Sequence, residues 1–150
     1  MVKKASKRIY VLYQLKRSGI HQQDMARIYT TVIRPVLEYA CPVWHSNLTK
    51  YLSDDIETVQ RRAMRTIYPG TCYNEALELA SLPTLQQRRE TLCKEYFGKL
   101  KTDTHKLNKL LPEKREVSYP LRTTTEFPLP KVRTNRFKNS FIPWSLFYCQ

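Results

Sequence analysis

Between Thr49 and Tyr68 the apolar residues Leu52, Ile56, Val59, Ala63 and Ile67 recur at steps of four, three, four and four. Those steps trace one face of an α-helix, and such a face is stable only when another element covers it. The charges agree with the helical reading. Ser53, Asp54 and Asp55 open the segment and Arg61, Arg62 and Arg65 close it, which suits the positive and negative ends of the helix dipole. Pro69-Gly70 then stops the helix. A chain organised around this element must pack helix on helix, and a 41% hydrophobic share of 150 residues supplies core for one domain-sized unit.

The rest of the first 111 residues supplies partners. A helix is expected over Ala5 to Ser18, striped by Ile9, Leu12 and Tyr13/Leu15 and ended at Gly19. Gln23 or Asp24 opens a second, with Met25, Ile28, Tyr29, Val32 and Ile33 on one side. Pro35 must kink or break it, because its ring clashes with the preceding turn and it offers no N–H. The pattern resumes through Val36, Leu37, Tyr39, Ala40 and Cys41 and ends near Trp44. A short helix is expected over Asn74 to Ala80. Thr84 with Gln87 forms a capping box for a long helix to about Lys101, striped by Leu85, Leu92, Tyr96 and Leu100. The expected fold is therefore all-α: a small helical bundle over residues 1–111, followed over 112–150 by an extended tail containing proline and aromatic residues. Phe137, Phe141, Trp144, Leu146, Phe147 and Tyr148 in that tail require burial. Tyr10, Tyr13, Tyr39 and Trp44 are expected in the core rather than as surfaces for stacking bases.

Charge points to a partner. Lys and Arg number 26 against 13 Asp and Glu, a net charge of +13 and a pI near 9.8. The first twenty residues hold Lys3, Lys4, Lys7, Arg8, Lys16 and Arg17 and no acid. The last twenty hold Lys131, Arg133, Arg136 and Lys138, again with no acid. Unbalanced basic ends are what a phosphate-tracking surface needs, since each neutralised phosphate releases condensed counterions. Attraction to a membrane surface is the rival for any basic amphipathic helix. No run approaches the roughly 20 apolar residues of a membrane span, and MVKKASKR is not followed by an uninterrupted apolar stretch. Cys41, Cys72, Cys93 and Cys149 form no CxxC pair and read as buried reduced thiols, which points to an intracellular compartment with nucleus and cytoplasm both open.

Catalytic chemistry is hard to assemble. Three glycines leave little room for a phosphate loop, and no G-x-S-x-G elbow occurs. His21, His45 and His105 lie far apart and away from cysteines or paired carboxylates at ligand spacing. Tyr51-Leu52-Ser53-Asp54-Asp55 superficially resembles the metal-holding Tyr-x-Asp-Asp of polymerases, but it carries an extra residue and opens an amphipathic helix, where acids belong for capping reasons alone. No catalytic residue, metal site or cofactor is therefore assigned. The basic positions are the candidates for nucleic-acid contact: Lys7, Arg8, Lys16 and Arg17 on the first helix, and Arg61, Arg62 and Arg65 on the solvent side of the third. Arg88 and Arg89 project from the start of the last long helix, and Arg133, Arg136 and Lys138 are interleaved with Asn135, Phe137 and Asn139. Arginine can fork onto a phosphate and stack on a base. The alternative on the third helix is a solvated face with local pairs such as Glu57 with Arg61.

Several stretches together resemble the region after the palm in non-LTR retrotransposon reverse transcriptases of the jockey-like kind. They are KKASKRIYVLYQLKRSGI (3–20), IYTTVIRPVLEYACPVWHSNL (28–48), LSDDIETVQRRAMRTIYP (52–69), EALELASLPTLQQRRETLC (75–93) and LPKVRTNRFKNSFIPW (129–144). The resemblance runs through the chain in order and implies the thumb and C-terminal connection of an RNA-directed DNA polymerase. In that family the thumb is helical and grips a template–primer duplex of RNA and DNA along its backbone. The fingers, the palm with its catalytic aspartates and the endonuclease have no counterpart here. The resemblance thus implies a fragment or truncated copy, with no polymerase activity alone, no membrane partner, and the upstream fingers and palm as protein partners. A reading of a different class is a helical scaffold that docks on the palm, its charge only solubilising.

Overall fold

The computed structural model describes residues 1–102, 104–115 and 125–149. In chain order the helices are α1 (Val2–Arg17), α2 (Gln22–Ile28), α3 (Arg34–Glu38), α4 (Cys41–Trp44), α5 (Lys50–Ile67), α6 (Tyr73–Leu79), α7 (Leu85–Leu100), α8 (Asn135–Lys138) and α9 (Phe141–Tyr148). A π-helical turn, Tyr29–Ile33, lies between α2 and α3, and 3-10 turns cover His45–Asn47 and Asn108–Leu110. Every regular element among the described residues is helical, so the chain is all-α. It divides into two compact units, Met1–Ala40 with Leu48–Arg89, and Cys41–Asn47 with Glu90–Gln150. The boundary expected at 111/112 lies inside the second unit; the division falls instead within α7.

The first unit packs α1 against α5, α2 and α3. Ala5, Ile9 and Leu12 are the buried residues of α1, and Ile56, Val59, Ala63, Met64 and Ile67 are buried on α5. Leu52 departs from the expected stripe and is exposed, because it lies in the first turn of α5 beyond the reach of that core. Gly19 ends α1 with φ +74°, and its N–H reaches the Lys16 carbonyl (3.1 Å) while the Ile20 N–H reaches that of Leu15 (3.2 Å). That pair of bonds is a Schellman cap, which needs a left-handed residue at its apex.

The same cap closes α6, with Ser81 N–H on the Glu78 carbonyl (2.9 Å) and Leu82 N–H on that of Leu77 (2.9 Å). Here the left-handed residue is Ser81, at φ +52°. A Cβ in that region costs about 1 kcal/mol that glycine avoids. Ser81→Gly is therefore expected to raise the melting temperature by a few degrees; a lower one in a thermal scan would contradict the cap geometry.

Pro35 is accommodated by a change of helical pitch. The Arg34 N–H bonds to the Tyr29 carbonyl five residues back, a π-type bond, and α3 then starts with the proline in its first turn. A wider turn relieves the clash between the proline ring and the carbonyl four residues earlier. The real break comes later, at Ala40 with φ +51°. Met25, Tyr29, Ile33 and Leu37 are buried at a constant step of four along this segment.

A polar network runs through this core. Tyr29 Oη donates to Gln60 Oε1 (2.7 Å), and Gln60 Nε2 donates to Tyr73 Oη (3.1 Å) and to the Pro83 carbonyl (3.0 Å). Tyr73 Oη in turn donates to Glu57 Oε1, which also accepts the Leu85 N–H at 3.3 Å. Burial, with the hydrogen bond to Glu57 next for Tyr73, pushes both phenols well above the ordinary tyrosine range. The fold keeps the neutral phenols. Their stabilisation is full below the ordinary tyrosine value of about 10, and it is lost above that value, where the unfolded chain releases protons that the folded one holds. The urea midpoint is expected to fall above about pH 10, and Tyr29→Phe should shallow that fall. An identical alkaline profile in the variant would contradict the assignment.

Thr84 and Gln87 form the expected capping box at the start of α7. The Gln87 N–H reaches Thr84 Oγ1 and the Thr84 N–H reaches Gln87 Oε1, both at 3.2 Å.

In the second unit Phe97, Phe127 and Leu146 form a buried centre with Leu111, Phe141, Ile142 and Cys149 packed on it. On α7 the buried residues of this unit are Cys93, Phe97 and Leu100, so the expected stripe of Leu92 and Tyr96 is displaced and those two are half-buried. The expectation of a largely extended tail is corrected in part. Residues 125–134 carry no helix, but the chain then forms α8 and α9. Thr134 Oγ1 caps α8 by accepting the Phe137 N–H at 3.3 Å. Residues 116–124 of the expected tail lie outside the described residues. Trp144 on α9 meets the His45 ring edge-on at 5.3 Å and lies 5.5 Å from Tyr148, while Phe137 and Tyr148 remain exposed despite the expectation of burial.

Candidate nucleic-acid interface

The face of α5 opposite its buried stripe carries Asp54, Thr58, Arg61, Arg62 and Arg65, all exposed. The three arginines follow from the helical period, since 61, 62 and 65 fall within one turn of each other on the side away from Val59, Ala63 and Met64. The alternative ion pair of Glu57 with Arg61 does not form. Glu57 turns to Tyr73 and the Leu85 N–H, and the Arg61 guanidinium lies over the Tyr73 ring at 5.2 Å. The arginines are thus presented to solvent with their charge uncancelled by Glu57.

The outward face of α1 holds Lys3, Lys7, Tyr10 and Arg17, all exposed, with Gln14 Nε2 donating to Tyr10 Oη. Lys16 is exposed at the last turn. Tyr10 is 63% exposed and Tyr39 79%, and Tyr13 is exposed as well, which corrects the expectation that these rings are core. Tyr39 lies at the C-cap of α3, and for Tyr10 and Tyr13 the reason is on α1 itself. Positions 5, 9 and 12 already fill the inward face of α1, and a tyrosine tolerates water at its hydroxyl end. Cations interleaved with an exposed ring are the arrangement that tracks a phosphate backbone and stacks a base.

Other expected contacts are redirected inward. Arg89 does not project; it is 1% exposed, and its Nη2 donates to Ser53 Oγ at 2.6 Å. It lies one turn after the buried Leu85, so the capping box that starts α7 also turns this residue into the core. The Arg88 side chain is 30% exposed, with Nε 3.3 Å from Glu38 Oε1, and Arg34 holds the same carboxylate at 3.1 Å. Two guanidiniums on one acid leave Arg88 a structural cation. Arg8 is half-buried and its Nη1 donates to the Val32 carbonyl (2.6 Å) in the π-helical turn. In the second unit Arg133 and Arg136 are exposed, and Lys138 is half-buried with Nζ 5.5 Å from the Phe147 ring.

The remaining candidates have structural explanations. His21 Nδ1 accepts the Gln23 N–H at the start of α2 (3.3 Å) and His105 Nδ1 accepts the Leu107 N–H (3.2 Å). Asp54 and Asp55 fall in the second turn of α5, because the helix already begins at Lys50, so the expectation that they open it for capping reasons is corrected. Among the described residues no group of three or more His, Cys, Asp or Glu side chains could hold a metal ion, and no helix is long and apolar enough to cross a membrane. Among the described residues none of the four cysteines forms a disulfide. Cys41 and Cys93 are buried as expected, but Cys72 is exposed, because it serves as N-cap of α6, its Sγ facing the Glu75 N–H at 3.5 Å.

Sequence reasoning missed one feature. A cavity of about 360 Å³ opens beside the end of α5, lined by Arg61, Met64, Arg65, Gly70, Thr71, Tyr73 and Ala76. The only signal for it was Pro69-Gly70, which turns the chain back beside the arginines. No protein-family model, no curated protein and no solved structure matches the chain.

Proposed function

We propose that the chain is a nucleic-acid-binding module of the thumb type, from the C-terminal part of a non-LTR retrotransposon RNA-directed DNA polymerase. It grips the template–primer duplex through basic helices and relies on fingers and palm outside this chain for catalysis. The observation that carries the binding function is the exposed Arg61, Arg62 and Arg65 face of α5, where Glu57, the acid one turn before Arg61, is engaged by Tyr73 and the Leu85 N–H. Support comes from the acid-free α1, with exposed Lys3, Lys7 and Arg17 around Tyr10. The ordered likeness to the region after the palm is what supplies the retrotransposon identity.

Contacts of this kind go to phosphates and carry little sequence information, so affinity should vary little with base sequence. The test is fluorescence anisotropy of the full chain with a labelled RNA–DNA hybrid across a salt series. Three or more phosphate contacts give a slope of log K against log salt of about −2.7 or steeper. A slope near zero would remove the electrostatic grip and leave the palm-docking scaffold as the better reading.

A further inference from the structure

We infer that the cavity between the end of α5 and the start of α6 is a phosphate clamp, in which Arg61 and Arg65 close on the phosphate group of one nucleotide. This rests on the nucleic-acid reading above and goes beyond it by separating two of the three α5 arginines from the third.

Its volume of about 360 Å³ is at the lower end of small-ligand sites. Arg61 and Arg65, one helical turn apart, both line it; Arg62 does not, and among the described residues no acidic side chain does. Two arginines lining one concave surface, with no acid in its described lining, favour a group carrying spread negative charge. Arg61 is also held in place. Its guanidinium lies 5.2 Å from the centroid of the Tyr73 ring. That ring is fixed at its far end by Tyr73 Oη donating to Glu57 and accepting from Gln60 Nε2 at 3.1 Å. A guanidinium stacked on a fixed ring keeps its N–H donors at the edge, where a phosphate can take two of them, and loses less freedom on binding than a mobile one. Tyr73 is kept neutral by burial and by Glu57, so the platform does not turn anionic under the incoming phosphate.

The probes are adenosine 5′-monophosphate and adenosine, titrated into the full chain while the arginine Nε–H resonances are followed by NMR. Saturable shifts at Arg61 and Arg65 are expected with the monophosphate and none with adenosine. Arg61→Lys keeps the charge but loses the planar fork, and is expected to weaken monophosphate binding about tenfold. Arg62→Lys, outside the cavity, should change it less than about twofold by the same reasoning. Equal losses in the two variants, equal shifts with adenosine, or shifts that never saturate would overturn the clamp. If monophosphate binding fails while the hybrid still binds with its salt slope, the clamp falls and the nucleic-acid reading stands. Saturable monophosphate binding without hybrid binding keeps the clamp, assigns it to a free nucleotide, and removes the duplex grip.

Discussion

Reversing Arg61, Arg62 and Arg65 to glutamate is expected to flatten the salt dependence of hybrid binding by about 2.7 in slope, since each lost phosphate contact removes about 0.9. Raising salt fourfold, from about 50 to 200 mM, should then cost the variant roughly fortyfold less affinity than it costs the parent chain. At the lower salt the variant is much the weaker binder, because attraction has become repulsion at three exposed positions. Fold stability should change little. These side chains lie outside the α5 core, and exposed charges contribute modestly. Arg88 provides the contrast. Its charge is already held by Glu38, so Arg88→Ala should leave the slope unchanged while costing stability. An unaltered slope in the triple variant would mean that phosphates are met elsewhere, and the α5 face would lose its assignment.

Gln60→Leu is expected to produce the largest loss of stability from a single substitution, about 3 kcal/mol. Gln60 is 1% exposed and joins Tyr29, Tyr73 and the Pro83 carbonyl, which come from three separate parts of the first unit. Leucine keeps much of the volume but leaves the buried Tyr29 hydroxyl without its acceptor and the Pro83 carbonyl without this donor. Each buried polar group left unmatched costs about 1–3 kcal/mol. Against the 5–15 kcal/mol that holds a typical domain together, that is a large fraction. The coupling gives a sharper check. Tyr29→Phe destabilises the parent chain, but on the Gln60→Leu background it removes a stranded hydroxyl and should restore about 1 kcal/mol. Urea unfolding of the four chains measures this, and a further loss in the double variant would contradict the network.

Much of the first unit could be read from the sequence because its signals are local. The α5 period, its limits at Thr49 and Tyr68, the Gly19 cap and the Thr84–Gln87 box each depend on residues within a turn or two of each other. What escaped depended on tertiary packing. Pro35 signalled a disturbance, but whether the chain breaks or widens into a π turn is decided by keeping Tyr29, Ile33 and Leu37 in the core. Arg89 hid in the inward-facing row of α7 because a polar residue interrupts an apolar pattern without showing which way it points. Phe141–Tyr148 is apolar on nearly every side, so no period distinguished a helix from an extended strand. Of the basic candidates, exposure at Lys7, Arg17, Arg61, Arg62 and Arg65 followed from the period. The inward turns of Arg8 and Arg88 required knowing where Val32 and Glu38 lie.

The most direct measurement is the affinity of the full chain for an RNA–DNA hybrid relative to heparin at one physiological salt concentration, by competition anisotropy. A duplex grip predicts that the hybrid is bound at least about tenfold more tightly than the polyanion at matched charge, because arginine forks and stacked rings add to bare attraction. Equal displacement by heparin would contradict it, and the +13 charge would then be no more than a solubilising coat.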